Sequence, residues 1–253
     1  MSEGDGMTGK AIDGAMLADG WAGPMEWTAW APTMAAIRAE FGYDAEPDRE
    51  AAHELRKLVP PTHRLRDLGV DVRNRRDVVI AGCGPGLAKA KADVFAGKAV
   101  VAADGAVERL QELGLPPRIV VTDLDGKPEA LEWAGAQGSR LLVHAHGDNR
   151  KAIAELVPRL GPQVYGTHQL EPQPGLEPLR NVGGFTDGDR AVLLCEALGA
   201  RAALLVGFET DRPPSKYSHA WDPETKPRKL AWAGRIVEEC HARGRLALTK
   251  WVP

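Results

Sequence analysis

The sequence predicts an α/β protein: a Rossmann-like, mainly parallel sheet with helices on both faces. Two observations predict it. Six short apolar runs, at residues 78–81, 99–102, 119–121, 141–143, 164–165 and 202–206, alternate with amphipathic helical stretches at 87–95, 106–113, 128–134, 151–160 and 189–198. Strand–helix alternation of this kind builds βαβ units. The second observation is a set of four aspartate-bearing turns. They read Ala103-Asp104-Gly105-Ala106, Thr122-Asp123-Leu124-Asp125-Gly126, His144-Ala145-His146-Gly147-Asp148-Asn149 and Gly184-Phe185-Thr186-Asp187-Gly188-Asp189-Arg190. At least the first three follow an apolar run. Parallel strands deliver their C-terminal ends to one edge, so carboxylates distant in sequence would meet in one cleft. Clustered carboxylates repel unless a cation joins them, which points to Mg²⁺ and, through it, to phosphates.

The elements follow in order. Residues 1–24 are rich in Gly, Ala and Met without clear periodicity and read as a flexible extension. Residues 25–75 read as a small helical region. Trp27, Trp30, Met34 and Ile37 recur at three- and four-residue steps, and Gly42 suits a helix stop. Asp48 reads as the N-cap of a helix over 49–59, ended by Pro60-Pro61. Residues 76–253 form the expected Rossmann-like domain. A Pro-rich connection spans 168–180, and a polar Pro- and Lys-rich stretch spans 210–228. Loops of that length are uncommon unless disordered or functional, and a lid is one such function. A final helix covers about residues 229–243. Trp133 and Trp221 read as packing residues.

Composition excludes several classes. The chain has 253 residues, 43% hydrophobic and 26% charged, a globular balance. A net charge of -3 argues against nonspecific nucleic-acid binding. Cys83, Cys195 and Cys240 are odd in number and far apart, with no CxxC pair, which fits a reducing cytoplasm. No apolar run is long enough to cross a membrane, and the N-terminus lacks a signal-peptide pattern.

Each motif carries a chemical and a structural reading. Ala81-Gly82-Cys83-Gly84-Pro85-Gly86 follows the first strand and opens a helix. Gly82, Gly84 and Gly86 would let backbone N–H groups approach an anion at a helix N-terminus. Leu87 stands where a dinucleotide fingerprint wants glycine. A tight turn without a ligand is the alternative. Asp104 lies where a ribose-binding acid would fall. Asp123 and Asp125, two apart in a turn freed by Gly126, would hold Mg²⁺ at about 2.0–2.1 Å. Helix capping explains one of them but not both. His144, His146 and Asp148 resemble the HxHxDH signature of metallo-β-lactamase-fold hydrolases, with Asn149 replacing the last histidine. Asp148 fits Mg²⁺ or an N-cap, and His144 fits a hydrogen-bonded strand end. The glycine-rich turn at 183–190 enters a helix; Arg190 offers a planar fork for phosphate, while Thr186 or Asp187 would also serve as a cap. Lys216, Lys226, Arg228 and Lys229 form a basic cluster, either a solvated face or a clamp on polyphosphate.

Taken in order, these turns resemble the archaeal-type 6-hydroxymethyl-7,8-dihydropterin diphosphokinase family. The resembling segments include residues 102–106, 121–126, 144–149 and 183–191, and near the N-terminus Trp27, Phe41-Gly42-Tyr43, Asp48, Ala51-Ala52 and Leu55. The resemblance covers about residues 25–245. It implies a fold related to the catalytic domain of thiamin diphosphokinases. It also implies transfer of the β,γ-diphosphate of ATP to the hydroxymethyl group of the dihydropterin, in folate or methanopterin synthesis. On that basis Asp123 and Asp125 are assigned to Mg²⁺, and Asp148 is a third ligand or the base. Asp104 belongs to metal or nucleotide, and Gly82, Gly84 and Gly86 lie under a phosphate or beside the pterin. Asn149, Gly184, Thr186, Asp187 and Arg190 contact nucleotide or diphosphate, and Lys226 and Lys229 neutralise charge. Neither nucleic acid nor membrane is an expected partner, and a homodimer is the default assembly. Two other readings stand beside it: an S-adenosylmethionine-dependent methyltransferase, and a non-catalytic nucleotide-binding sensor of the same fold. A zinc hydrolase is more distant.

Overall fold

The structure, a computed structural model, describes residues 24–253 apart from 74, 76, 77, 220 and 221. The extension expected over residues 1–24 therefore lies, but for Pro24, outside the described residues, as does Trp221. Seven parallel strands form one sheet: β1 (Val78–Ala81), β2 (Ala99–Ala103), β3 (Ile119–Thr122), β4 (Arg140–Ala145), β5 (Val164–His168), β6 (Ala202–Val206) and β7 (Ala247–Lys250). Their order is β5-β4-β3-β2-β1-β6-β7. The chain steps outward from β1 to β5, then crosses back to place β6 on the other side of β1. That reversal opens a crevice at the C-terminal ends of β1 and β6, where ligands bind in open α/β sheets.

The strands read as unbroken apolar runs because both faces are covered. Alternate residues point to opposite faces, and the chain buries two cores accordingly. Val79, Ala81, Val100, Ala102, Val120 and Val143 pack on one side, Val78, Ile80, Val101, Val121, Leu142 and Leu205 on the other. The first side is covered by α2 (Ala45–Leu58), α4 (Pro85–Lys89), α5 (Ala92–Phe95), α6 (Ala106–Glu112), α7 (Pro128–Ala136) and α8 (Arg150–Leu156). The second is covered by α1 (Trp27–Phe41), α3 (Gly69–Val72), α9 (Asp187–Ala197) and α10 (Lys226–Arg243). The N-terminal helices are part of these layers: Trp30, Met34 and Ile37 of α1 enter one core, and Ala51, Ala52 and Leu55 of α2 the other.

Several boundaries differ from the sequence expectation for physical reasons. The helix expected from residue 49 starts a turn earlier, because Asp44 supplies the cap and accepts from the Glu46 N–H at 3.2 Å. Asp48 sits inside α2, 4% exposed, where it pairs with Arg38 at 3.0 Å and accepts the Gly147 N–H at 3.0 Å. The single helix expected at 87–95 breaks at Ala90, which is extended. The final helix begins at Lys226, with a proline in its first turn. Strand β7 was invisible as a period: it pairs only with β6 and most of it is exposed. Among the described residues, no helix is long and apolar enough to cross a membrane.

Candidate active site

The turn after β3 is built to hold two carboxylates apart from the core and close to a third. Thr122, the last residue of the strand, is fully buried; its hydroxyl donates to Asp104 and accepts the Leu124 N–H at 2.8 Å. Leu124 takes a left-handed conformation (φ 72°) and turns its side chain into the core at 4% exposure. A left-handed non-glycine residue costs about 1–2 kcal/mol, which burial of a leucine side chain offsets. The reversal lets Asp123 and Asp125 face the same cavity, and Asp123 accepts the Asp125 N–H at 3.3 Å. Gly126 is required here: a Cβ on it would fall 2.4 Å from Oδ2 of Asp104.

Asp104, Asp123, Asp125 and Asp187 bring carboxylate oxygens within 4.8 Å of one another. The first three come from the ends of β2 and β3, and Asp187 from the start of α9 on the opposite face. Burial, and then the charges of Asp125, Asp187 and Asp123, push the Asp104 carboxyl well above its ordinary range. Burial followed by the Asp123 charge does the same for Asp187, and raises Asp125 less strongly. Asp123 goes the other way. Burial works to raise it, but the hydrogen bond and charge of His146, with Arg190 behind, hold it down at about 2. Like charges gathered in one place disfavour ionisation, and a bound cation removes that penalty.

The four carboxylates line a cavity of about 510 Å³. Gly82, Gly84, Thr186, Lys226 and Lys229 also line it, as do Phe208 and Glu209 after β6 and Tyr217 and His219 farther on. The glycines after β1 serve close packing. The Gly84 N–H donates to the Gly207 carbonyl at 2.8 Å, and a Cβ on Gly82 would fall 2.7 Å from that oxygen. The Gly86 N–H already donates to the Glu209 carboxylate at 3.2 Å, so the start of α4 has an anion of the protein's own. Gly86 does not line the cavity.

Other expected residues are placed differently. Asp148 stays out of the acidic cluster. It is exposed, and its N–H donates to the His146 ring at 3.4 Å, because the turn after β4 leans toward α2. Asp187 stands in the cluster instead. Asn149 is a brace rather than a cavity residue. Its amide donates to the carbonyls of Asp123 at 2.8 Å and His144 at 2.6 Å, and its oxygen accepts the His146 N–H at 3.1 Å. Arg190 is buried behind Asp187, bonding its Oδ1 at 3.2 Å and the Gly184 carbonyl at 3.4 Å. Gly184 (φ 89°) lets the chain pass against Arg190. His144 is buried at 2% exposure, away from the acidic cluster, and burial pushes its pKa well below the ordinary range. The basic cluster divides. Lys226 and Lys229 line the cavity, Lys216 pairs with Glu112 at 3.1 Å, and Arg228 pairs with Glu40 at 3.0 Å.

The stretch after β6 is tied down over this cavity. Ser215 donates to the Cys83 carbonyl at 2.9 Å, and the buried Tyr217 donates its hydroxyl to Glu112 at 2.6 Å. Sequence reasoning missed Glu209, Tyr217 and His219. The position of Glu209 just beyond a strand end was the one available signal; the others sit in a polar stretch with no pattern.

The chain is similar to known proteins over most of its length. A family model described as 6-hydroxymethylpterin diphosphokinase MptE-like matches residues 49–212, a segment spanning β1 to β6 and all four carboxylates. A protein named 6-hydroxymethyl-7,8-dihydropterin pyrophosphokinase from Pyrococcus furiosus is 37% identical over 237 residues, covering 90% of this chain and 99% of its own. Its namesake from Methanothermobacter thermautotrophicus is 35% identical over 237 residues, covering 90% and 100%. That from Methanocaldococcus jannaschii is 33% identical over 230 residues, covering 84% and 95%. With all four clustered carboxylates inside the matched segment and relatives aligned over nearly their whole length, the chain belongs to the MptE-like 6-hydroxymethylpterin diphosphokinase family.

Proposed function

We propose that the chain transfers the β,γ-diphosphate of ATP to the hydroxymethyl group of 6-hydroxymethyl-7,8-dihydropterin and releases AMP. One observation carries the reading: Asp104, Asp123, Asp125 and Asp187 converge in a cavity that Lys226 and Lys229 also line. The donor set is all oxygen, which suits a hard divalent cation. The raised Asp104 and Asp187 carboxyls are what such an ion would relieve. Asp123 and Asp125 are the residues that would hold Mg²⁺, with Asp104 and Asp187 beside them. When bound, the ion supplies charge stabilisation to phosphate oxygens.

The protein's own groups do the rest. In the transfer, the hydroxymethyl oxygen bonds to the β-phosphorus. The bond from that phosphorus to the oxygen bridging the α-phosphate breaks, and AMP leaves with the electron pair. Catalysis of this kind is mostly positioning and electrostatics. Lys226 and Lys229 neutralise phosphate charge. Thr186, at the entry to α9, lines the cavity beside Asp187, with its hydroxyl donated to Asp189 at 3.2 Å. The tethered stretch from Ser215 to His219 keeps water from the β-phosphorus. The reading includes a cytoplasmic location, in keeping with three unpaired cysteines.

The test is AMP release with ATP, Mg²⁺ and a panel of acceptors including the dihydropterin and thiamin. AMP formed with the dihydropterin supports the reading. AMP with thiamin alone would assign a different acceptor. Tight binding of a nonhydrolysable ATP analogue without AMP release from ATP would make the chain a sensor. Binding of S-adenosylmethionine in place of nucleotide would overturn the reading altogether.

A further inference from the structure

Glu108 lies in the first turn of α6 at 8% exposure and meets nitrogen donors from two directions. Its Oε1 contacts Nε2 of His219, and its Oε2 contacts Nζ of Lys127. Three segments bordering the acidic cluster are joined by this one carboxylate: the turn after β2, the turn after β3, and the stretch after β6. The approach is close. A Cβ on Gly105 would fall 1.9 Å from the carbonyl oxygen of Tyr217, so glycine is needed for the chain near His219 to run beside Asp104. His219 lines the cavity, with its side chain 31% exposed.

The chemistry of the pair follows from what each atom can do. A carboxylate only accepts hydrogen bonds, so Nε2 of His219 carries the proton. In the neutral ring that leaves Nδ1 with its lone pair free for a ligand. Lys127 faces Glu108 from the turn after β3 and balances its buried charge. A carboxylate that fixes the tautomer of an imidazole, and stabilises the imidazolium formed when the ring takes a proton, is the logic of a base–orienter pair.

We propose that His219 is the catalytic base that takes the hydroxymethyl proton at Nδ1, and that Glu108 is the positioning residue that holds it. The inference rests on the diphosphate-transfer reading above. The proton moves from the substrate hydroxyl to Nδ1 as the oxygen bonds to the β-phosphorus and AMP departs. The product diphosphate then leaves, and the imidazolium returns its proton to solvent.

The experiment is a double-mutant cycle on full-length protein, read by AMP release. Wild type is measured first, and its failure to release AMP with the dihydropterin would remove both readings together. With an active wild type, His219→Ala should lower kcat by about 100-fold or more while leaving KM for both substrates within about threefold. Added imidazole should restore part of that kcat. Glu108→Gln should cost about 10- to 100-fold alone and nothing further in the His219→Ala background. His219→Gln serves as the second variant if the alanine form does not fold. Retention of kcat within about threefold by a folded His219 variant would overturn the base while leaving the transfer reading intact. A Glu108→Gln loss that persists in full without His219 would show that Glu108 acts through Lys127, and would overturn the positioning role.

Discussion

The turn after β3, from Asp123 to Gly126, and the turn after β4, from His146 to Asn149, leave neighbouring strands at the same edge of the sheet. Both carry aspartate and glycine, and both precede a helix. The first faces the crevice at the ends of β1 and β6 and delivers two carboxylates to it. The second lies one strand farther from the crevice, against α2. There Asp48 takes the Gly147 N–H, and Asn149 ties the His144 and His146 backbone to the carbonyl of Asp123. Distance from the topological switch, rather than residue content, separates a turn that reaches the cavity from a bracing one.

The largest expected break in that comparison is Asp123→Asn or Asp125→Asn. Each should lower AMP release by about 100-fold or more, with the melting temperature little changed. Near-normal turnover in both variants would remove the metal assignment. The β4–β5 side should show itself in stability instead. Burial, followed by the charge of Arg180, lowers the His168 pKa from 6.5 to about 4. The folded state therefore binds fewer protons than the unfolded chain between those values. Its contribution is present above about pH 6.5 and is lost as the pH falls toward about 4, a loss of about 3 kcal/mol. Urea midpoints across that range test it, and His168→Gln should flatten that part of the profile.

Asn149→Ala should destabilise by about 1–3 kcal/mol, because it strands two buried carbonyls and an N–H. It should also lower activity modestly by loosening Asp123, and paired urea and AMP-release measurements would show both. Asp148→Asn should do least, with activity within about twofold of wild type, since its exposed carboxylate makes no contact with the cavity. A large loss from that change, with the fold intact, would return Asp148 to the site.

Local pattern made much of this legible. Apolar runs covered on both faces announced the parallel strands β1 to β6, and the Asp-x-Asp turn after β3 identified its pair without help from the rest of the chain. Gly126 reads in the sequence as the residue that lets the turn curl, but the left-handed position is Leu124, and Gly126 instead makes room for Asp104. The misplacements share one cause. Asp48 resembled a cap because capping is local, whereas its actual partners, Arg38 and Gly147, depend on how α2 packs. As sequence, Asp148 is the expected partner for Asp123 and Asp187 reads as a cap or a nucleotide contact, yet Asp187 is the one that joins the cluster. Choosing between them needs the strand order and the side of the sheet from which α9 arrives.

The amino-acid sequence by itself determined the layered α/β architecture, the acidic edge, the Asp123–Asp125 pair and the family, because periodicity, turn chemistry and ordered motifs are properties of neighbouring residues. Only the tertiary structure decided that Asp187 completes the cluster, that Arg190 and Asn149 support rather than line the cavity, and that Glu108 and His219 meet. Those are contacts between segments as many as 111 residues apart, and they exist only once the sheet has put its strands in order.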